Sequence, residues 1–134
     1  MKRTTQTAEL IFPGREYIKE EAFRETDFGI FEGKTAVELS DNKEYREWVD
    51  SMCLSPIPNG ESVAEFKARC VKAFEKIIKT LPDNAEVSFV VHGGVIMAIL
   101  EAFSEKKGEF YDYHIKNGEF LRCNFEKDRI ILME

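Results

Sequence analysis

The stretch VSFVVHGGVIMAIL, Val87 to Leu100, concentrates the chemistry of this chain. A short, β-branched, largely apolar run from Glu86 to Val91 leads to His92, passes Gly93 and Gly94, and continues as a helical run from Val95 to Phe103. The pattern predicts a strand covered on both faces, then a tight glycine turn, then a helix. It puts the imidazole at the carboxyl end of a sheet, where open α/β folds take their ligands. Free backbone N–H groups and the positive end of the helix dipole at that turn favour an anion such as phosphate. The plainer reading is a satisfied histidine at a strand end, with glycines that serve only the bend.

Three other stretches carry reactive groups. Glu25, in FRETDFG, lies between Phe23 and Phe28, and a carboxyl in apolar company is a candidate proton donor. Locally it is also one more acidic residue in an acid-rich chain. GIFEGKT, Gly29 to Thr35, has one residue fewer between its glycines than a phosphate-binding P-loop, and Glu32 inside it would repel a phosphate. Cys123 and Arg129 have the spacing of a cysteine-dependent phosphatase loop. Glu126 and Asp128 lie between them without a glycine, and the strand-like IILME follows where that loop needs a helix. His114, in YDYHIKNGEF, reads as a surface or hairpin-entry residue, and Arg3 by itself as a solvated helix residue.

Composition limits the function classes. The chain has 134 residues and 43% hydrophobic content, enough for one domain, residues 1–134, with a real core. A net charge of −6 argues against nucleic acid as a partner, so an anion would need a local pocket. The longest apolar run, broken at His92-Gly93-Gly94, is too short to span a bilayer, and no apolar block follows the basic residues at the start. The expectation is a cytoplasmic protein that uses no membrane. Cys53, Cys70 and Cys123 are odd in number and far apart, which suits reduced thiols; with two histidines and no C-x-x-C pair, a zinc site is not expected.

The elements that must hold these groups follow from periodicity and capping. Residues 4–12 form a helix stopped by Pro13-Gly14. Arg15 to Arg24 favours neither period, and ETDFGIFEGKT reads as an ordered loop. Thr35 and Glu38 can form a capping box for a short helix, and a second helix runs from about Lys43 to Met52, with Tyr45, Trp48, Val49 and Met52 on one side. Ser62 and Glu65 cap the clearest helix, whose stripe is Val63, Phe66, Cys70, Phe74, Ile77, Ile78 and Leu81 before Pro82. The tail EFLRCNFEKDRIILME suggests two strands joined across Glu126 to Asp128. Helices alternating with a buried strand indicate an α/β sandwich.

Taken in order, KRTTQTAEL, ETDFGIFEGKT, PNGES before a long helix, and VVHGG resemble the histidine phosphatase superfamily, the phosphoglycerate-mutase-like phosphatases. The resemblance covers the whole chain, and the E-x-D-F-G-x-F-E-G version is most similar to small broad-specificity or α-ribazole-phosphatase-like members. It implies a three-layer α/β/α sandwich. It also implies that Arg3 clamps a transferring phosphoryl group, that Glu25 is general acid and then base, and that His92 binds the phosphoryl group and stabilises its charge. Gly93 and Gly94 would add backbone donors. Catalytic roles thus fall to Glu25 and His92, and phosphate binding to Arg3, His92, Gly93 and Gly94, with no metal or cofactor. The partner would be a small phosphorylated substrate or inorganic phosphate.

Members of that family begin with a strand ending in R-H-G, whose histidine becomes phosphorylated, and no Arg-His-Gly occurs in these residues. The expectation is an N-terminally truncated domain that lacks the first strand of its sheet and the nucleophile, with Met1 an internal methionine of a longer phosphatase. Such a chain would be inactive alone. A missing strand would expose a sheet edge, which homodimerisation or segment exchange would cover. The alternative is a catalytically inactive phosphate-binding or interaction module.

Overall fold

The computed structural model describes residues 1–134, which form two compact units, Met1–Glu25 with Arg69–Glu134, and Thr26–Ala68. The helices are α1 (Lys2–Ile11), α2 (Ala36–Leu39), α3 (Lys43–Asp50), α4 (Val63–Thr80) and α5 (Gly93–Phe103). Strands β1 (Cys123–Glu126) and β2 (Arg129–Leu132) form an antiparallel hairpin. No helix is long and apolar enough to cross a membrane.

The capping residues act as their types require. The Thr35 hydroxyl accepts from the Glu38 N–H while Glu38 accepts from the Thr35 N–H, and Ser62 and Glu65 exchange the same pair of bonds at the start of α4. In the hairpin turn Lys127 and Asp128 take φ of 51° and 59°. Two left-handed residues are what a two-residue turn needs to match the twist of its strands.

A string of phenylalanines forms the centre of the first unit. Phe23 meets Phe89 edge-on, Phe89 lies against Phe74 of α4, and Phe74 touches both Phe103 of α5 and Phe125 of β1, with centroids 5.2–6.0 Å apart. Phe23 and Phe74 are buried, as are Val95, Ala98, Ile99 and Leu100 of α5, while Phe89, Phe103 and Phe125 are half-buried. Each such pair adds about 0.5–1.5 kcal/mol to the burial of its rings. Glu86 to Val91 has no regular secondary structure and pairs with no strand, which corrects the expectation of a strand there. A strand needs a neighbour for its backbone groups; here the Phe89 ring of the segment packs on Phe23 and Phe74.

In the second unit Phe31, Leu39 and Ile57 are buried, with Phe28, Ile30, Tyr45 and Trp48 packed on them. Val49 and Met52, expected beside Tyr45 and Trp48, are exposed. Val49 is one residue round the helix from Trp48, and α3 ends before Met52, whose φ of 59° takes it off the helical face. The polar part of the unit is a backbone clasp. The Ile30 N–H donates to the Pro58 carbonyl at 3.1 Å, and the Glu61 N–H to the Asp27 carbonyl at 2.9 Å. Gly29, at φ +48°, sits so close to this second loop that a β-carbon would strike Pro58 O, and also Gly60 N at 2.5 Å. Gly29→Ala should therefore cost on the order of 1–3 kcal/mol. Urea unfolding followed by fluorescence of Trp48, the one tryptophan, reads this unit, and an unchanged midpoint would mean that the clasp is not closed in solution.

Candidate active site

Glu25 and His92 meet within the first unit. His92 Nδ1 lies 3.5 Å from Glu25 Oε2, with the His92 side chain 7% exposed and that of Glu25 24% exposed. The pair is nearly dry on the imidazole side and open to solvent on the carboxylate side.

His92 caps α5 in an extended conformation, φ −72° and ψ 152°, and its carbonyl accepts from the Val95 and Ile96 N–H groups. The turn expected of the two glycines is made by His92 instead, since neither Gly93 nor Gly94 has a left-handed backbone. A β-carbon at Gly93 would meet nothing within 4 Å, so packing does not demand that glycine. The first N–H groups of α5 have no partner inside the helix, which leaves them to an anion or to water.

Arg3 lies on α1 with an exposed side chain, near enough to lower the basicity of His92. The imidazole is pulled below its ordinary pKa mainly by burial. Glu25 opposes this by attracting the protonated form, and the Arg3 guanidinium and the Met1 ammonium add to the lowering. Glu25 and Arg3 thus act on the His92 imidazole in opposite directions.

Glu25 is held by a residue the sequence reading passed over. Arg69 of α4 donates from Nη1 to the carbonyls of Ala22 at 2.6 Å and Arg24 at 2.9 Å, and from Nη2 to the carbonyl of Glu25 at 3.1 Å. Cys70 beside it is fully buried, with its Sγ 3.8 Å from the Ala22 carbonyl. A packing role for Cys70 was legible; the arginine fork gave no periodic signal.

The competing chemistries lose their geometry. Cys123 pairs with Leu132 and Arg129 with Glu126 in the hairpin register, so thiol and guanidinium sit at opposite ends of the ladder, and burial raises the thiol pKa. Gly29 to Phe31 is a single 3-10 turn, and Glu32 accepts from the Phe28 N–H at 2.8 Å. His114 is exposed. A cavity of about 280 Å³ in the second unit is lined by Phe28, Phe31, Glu32, Lys34, Tyr45 and Trp48 among others.

The lowered His92 pKa has a definite pH consequence. Above about pH 6.5, the ordinary value, imidazole is neutral folded or unfolded; below it the unfolded chain takes up the proton first. This contribution to stability is therefore present above the unfolded value and is lost as pH falls through the folded one. NMR titration of His92 should give a midpoint below 6.5, moved further down by Glu25→Gln and up by Arg3→Met. A Glu25→Gln midpoint that stays or rises would place the carboxylate away from the imidazole.

Comparison with known proteins shows the family of this chain. The model of the histidine phosphatase superfamily (branch 1) matches residues 1–134. A candidate phosphoserine phosphatase of Hydrogenobacter thermophilus is 29% identical over 90% of this chain, and a phosphoglycerate mutase of Enterobacter sp., GpmB, also named as a candidate, is 34% identical over 93%. The chain spans 60% of the length of each of these relatives. A crystal structure of a candidate α-ribazole-5'-P phosphatase from Escherichia coli K-12 superposes with a TM-score of 0.85 at 16% identity, over 99% of this chain and 68% of that one. TTHB049 from Thermus thermophilus gives 0.63 at 26%, over 96% of this chain and 66% of that one. The fold class is accordingly the α/β, phosphoglycerate-mutase-like one, and the chain belongs to the histidine phosphatase superfamily, branch 1.

Proposed function

We propose that residues 1–134 supply the proton donor and phosphate-binding groups of a phosphomonoesterase acting through a phosphohistidine, with the nucleophilic imidazole coming from outside them. The observation that carries this is the approach of Glu25 to His92 at the N-terminus of α5, with Arg3 acting on the same imidazole. Small phosphorylated molecules are the substrate class, in keeping with the phosphatase and mutase names of the relatives.

In this reading the nucleophile attacks phosphorus and the bond to the leaving alcohol breaks. Protonated Glu25 gives its proton to the alcohol oxygen. Glu25, now a carboxylate, then takes a proton from the water that attacks the phosphohistidine, and inorganic phosphate leaves. Arg3 offers a planar fork to the phosphoryl oxygens, while His92 and the Gly93 and Gly94 N–H groups stabilise charge in the in-line transition state. Burial keeps His92 neutral before substrate arrives, and a phosphate dianion would favour its protonation.

Inorganic phosphate should bind the chain and raise the His92 midpoint. Arg3→Met should weaken that binding about tenfold, the order expected for one lost charge-assisted contact. Purified chain should show negligible turnover of p-nitrophenyl phosphate. Turnover that His92→Ala abolishes would overturn the division of labour, and phosphate that leaves His92 unmoved would overturn the site.

The unpaired segment Glu86 to Val91, with Val87 exposed, supports a second expectation. An apolar edge of free backbone groups invites a second copy or an exchanged segment. Sedimentation should show concentration-dependent association; a clean monomer over a wide concentration range would contradict it.

A further inference from the structure

We propose that Arg69 is a positioning residue, which holds Glu25 against His92 by gripping the backbone carbonyls of Ala22, Arg24 and Glu25. The inference rests on Glu25 being the proton donor of the proposed reaction, and adds what keeps it in place.

Glu25 lies just beyond a single 3-10 turn, Glu21–Phe23, whose C-cap Arg24 is already extended at φ −60° and ψ 156°. Short turns leave carbonyls unsatisfied at their ends, and a segment with no ladder has no regular partner for them. Arg69 supplies donors to three of these carbonyls from two nitrogens, at 2.6, 2.9 and 3.1 Å. A planar guanidinium presents donors in a fixed fork, so fixing these oxygens fixes the peptide planes on both sides of the Glu25 α-carbon. Lysine at 69 would keep the charge but not the fork. The anchor is rigid in turn: Arg69 lies on an eighteen-residue helix, beside fully buried Cys70.

A purely structural arginine would stabilise the fold and leave the relation of Glu25 to His92 unchanged. The two roles separate by sign in the titration of His92, whose charged neighbours are Glu25, Arg3 and the Met1 ammonium. Removing a cation from the surroundings can only raise the His92 midpoint. Releasing Glu25 removes the attraction that holds the midpoint up, and so lowers it.

The test is NMR titration of His92 in the full chain carrying Arg69→Gln, Arg69→Lys, Glu25→Gln and the double variant Arg69→Gln/Glu25→Gln. Arg69→Gln should lower the midpoint, as Glu25→Gln does, and Arg69→Lys should lower it by a smaller amount. In the Glu25→Gln background, Arg69→Gln should produce no further fall, because there is no carboxylate left to release. A rise or no change with Arg69→Gln, or a fall that persists without the carboxylate, overturns the proposal. Should Arg69→Gln fail to fold, Arg69→Lys carries the same sign test. Failure of Glu25→Gln itself to move His92 would refute the site reading instead, so the two failures are distinguishable.

Discussion

A carboxylate and an imidazole stay 3.5 Å apart only if the backbones that carry them are both immobile, and here neither lies in a sheet. Helix α4 meets that constraint from one face. Arg69 and Cys70 engage the Ala22 to Glu25 segment by polar contacts, and Phe74, little more than a turn further on, packs against Phe89 of the segment leading to His92. Phe23 and Phe89 then touch each other, so the two segments are tied directly as well as through the helix. Two kinds of interaction share the work. Ring burial, about 1.5–3 kcal/mol for a full side chain, supplies energy without direction; the guanidinium supplies direction.

The second unit reaches order by a different route. Its aromatic residues form a small cluster with Phe31 at the centre, where Tyr45 and Trp48 meet it at 5.4 and 5.7 Å. So few rings cannot by themselves fix loops as long as those of this unit. The backbones of residues 27–30 and 58–61 lie in direct contact, an approach that no side chain at 29 or 60 would allow. GIFEGKT imitates a phosphate loop for this steric reason: its first glycine admits a neighbouring backbone in place of a phosphate.

What was legible in the sequence was what depends on near neighbours. The capping pairs Thr35/Glu38 and Ser62/Glu65, the stripe of α4 and the hairpin across Glu126 to Asp128 all follow from residues within a turn or two. His92 and Glu25 could be singled out by residue type and by the order of motifs, but their meeting could not, because nothing local encodes a contact between such distant segments. The Glu86 to Val91 segment shows the complementary limit. Its composition is that of a strand, but a ladder is a property of two segments, and composition describes one. Arg69 was missed because its partners are backbone carbonyls, which every residue possesses and no pattern marks.

The electrostatics of the site follow from the same arrangement. Burial on the inner side of His92 disfavours its cation, and Arg3 and the Met1 ammonium disfavour it further; Glu25 alone resists. A site so balanced holds an imidazole that is neutral when empty, beside a guanidinium and the donor end of α5. A dianion arriving at the proposed site would be drawn to Arg3 and would favour the protonated form of His92. In the proposed reaction a protonated imidazole there would stabilise the charge of the transferring group. The substrate's own charge would thus set the protonation state of His92, while the backbone grip of α4 keeps the Glu25 carboxyl within reach of that imidazole.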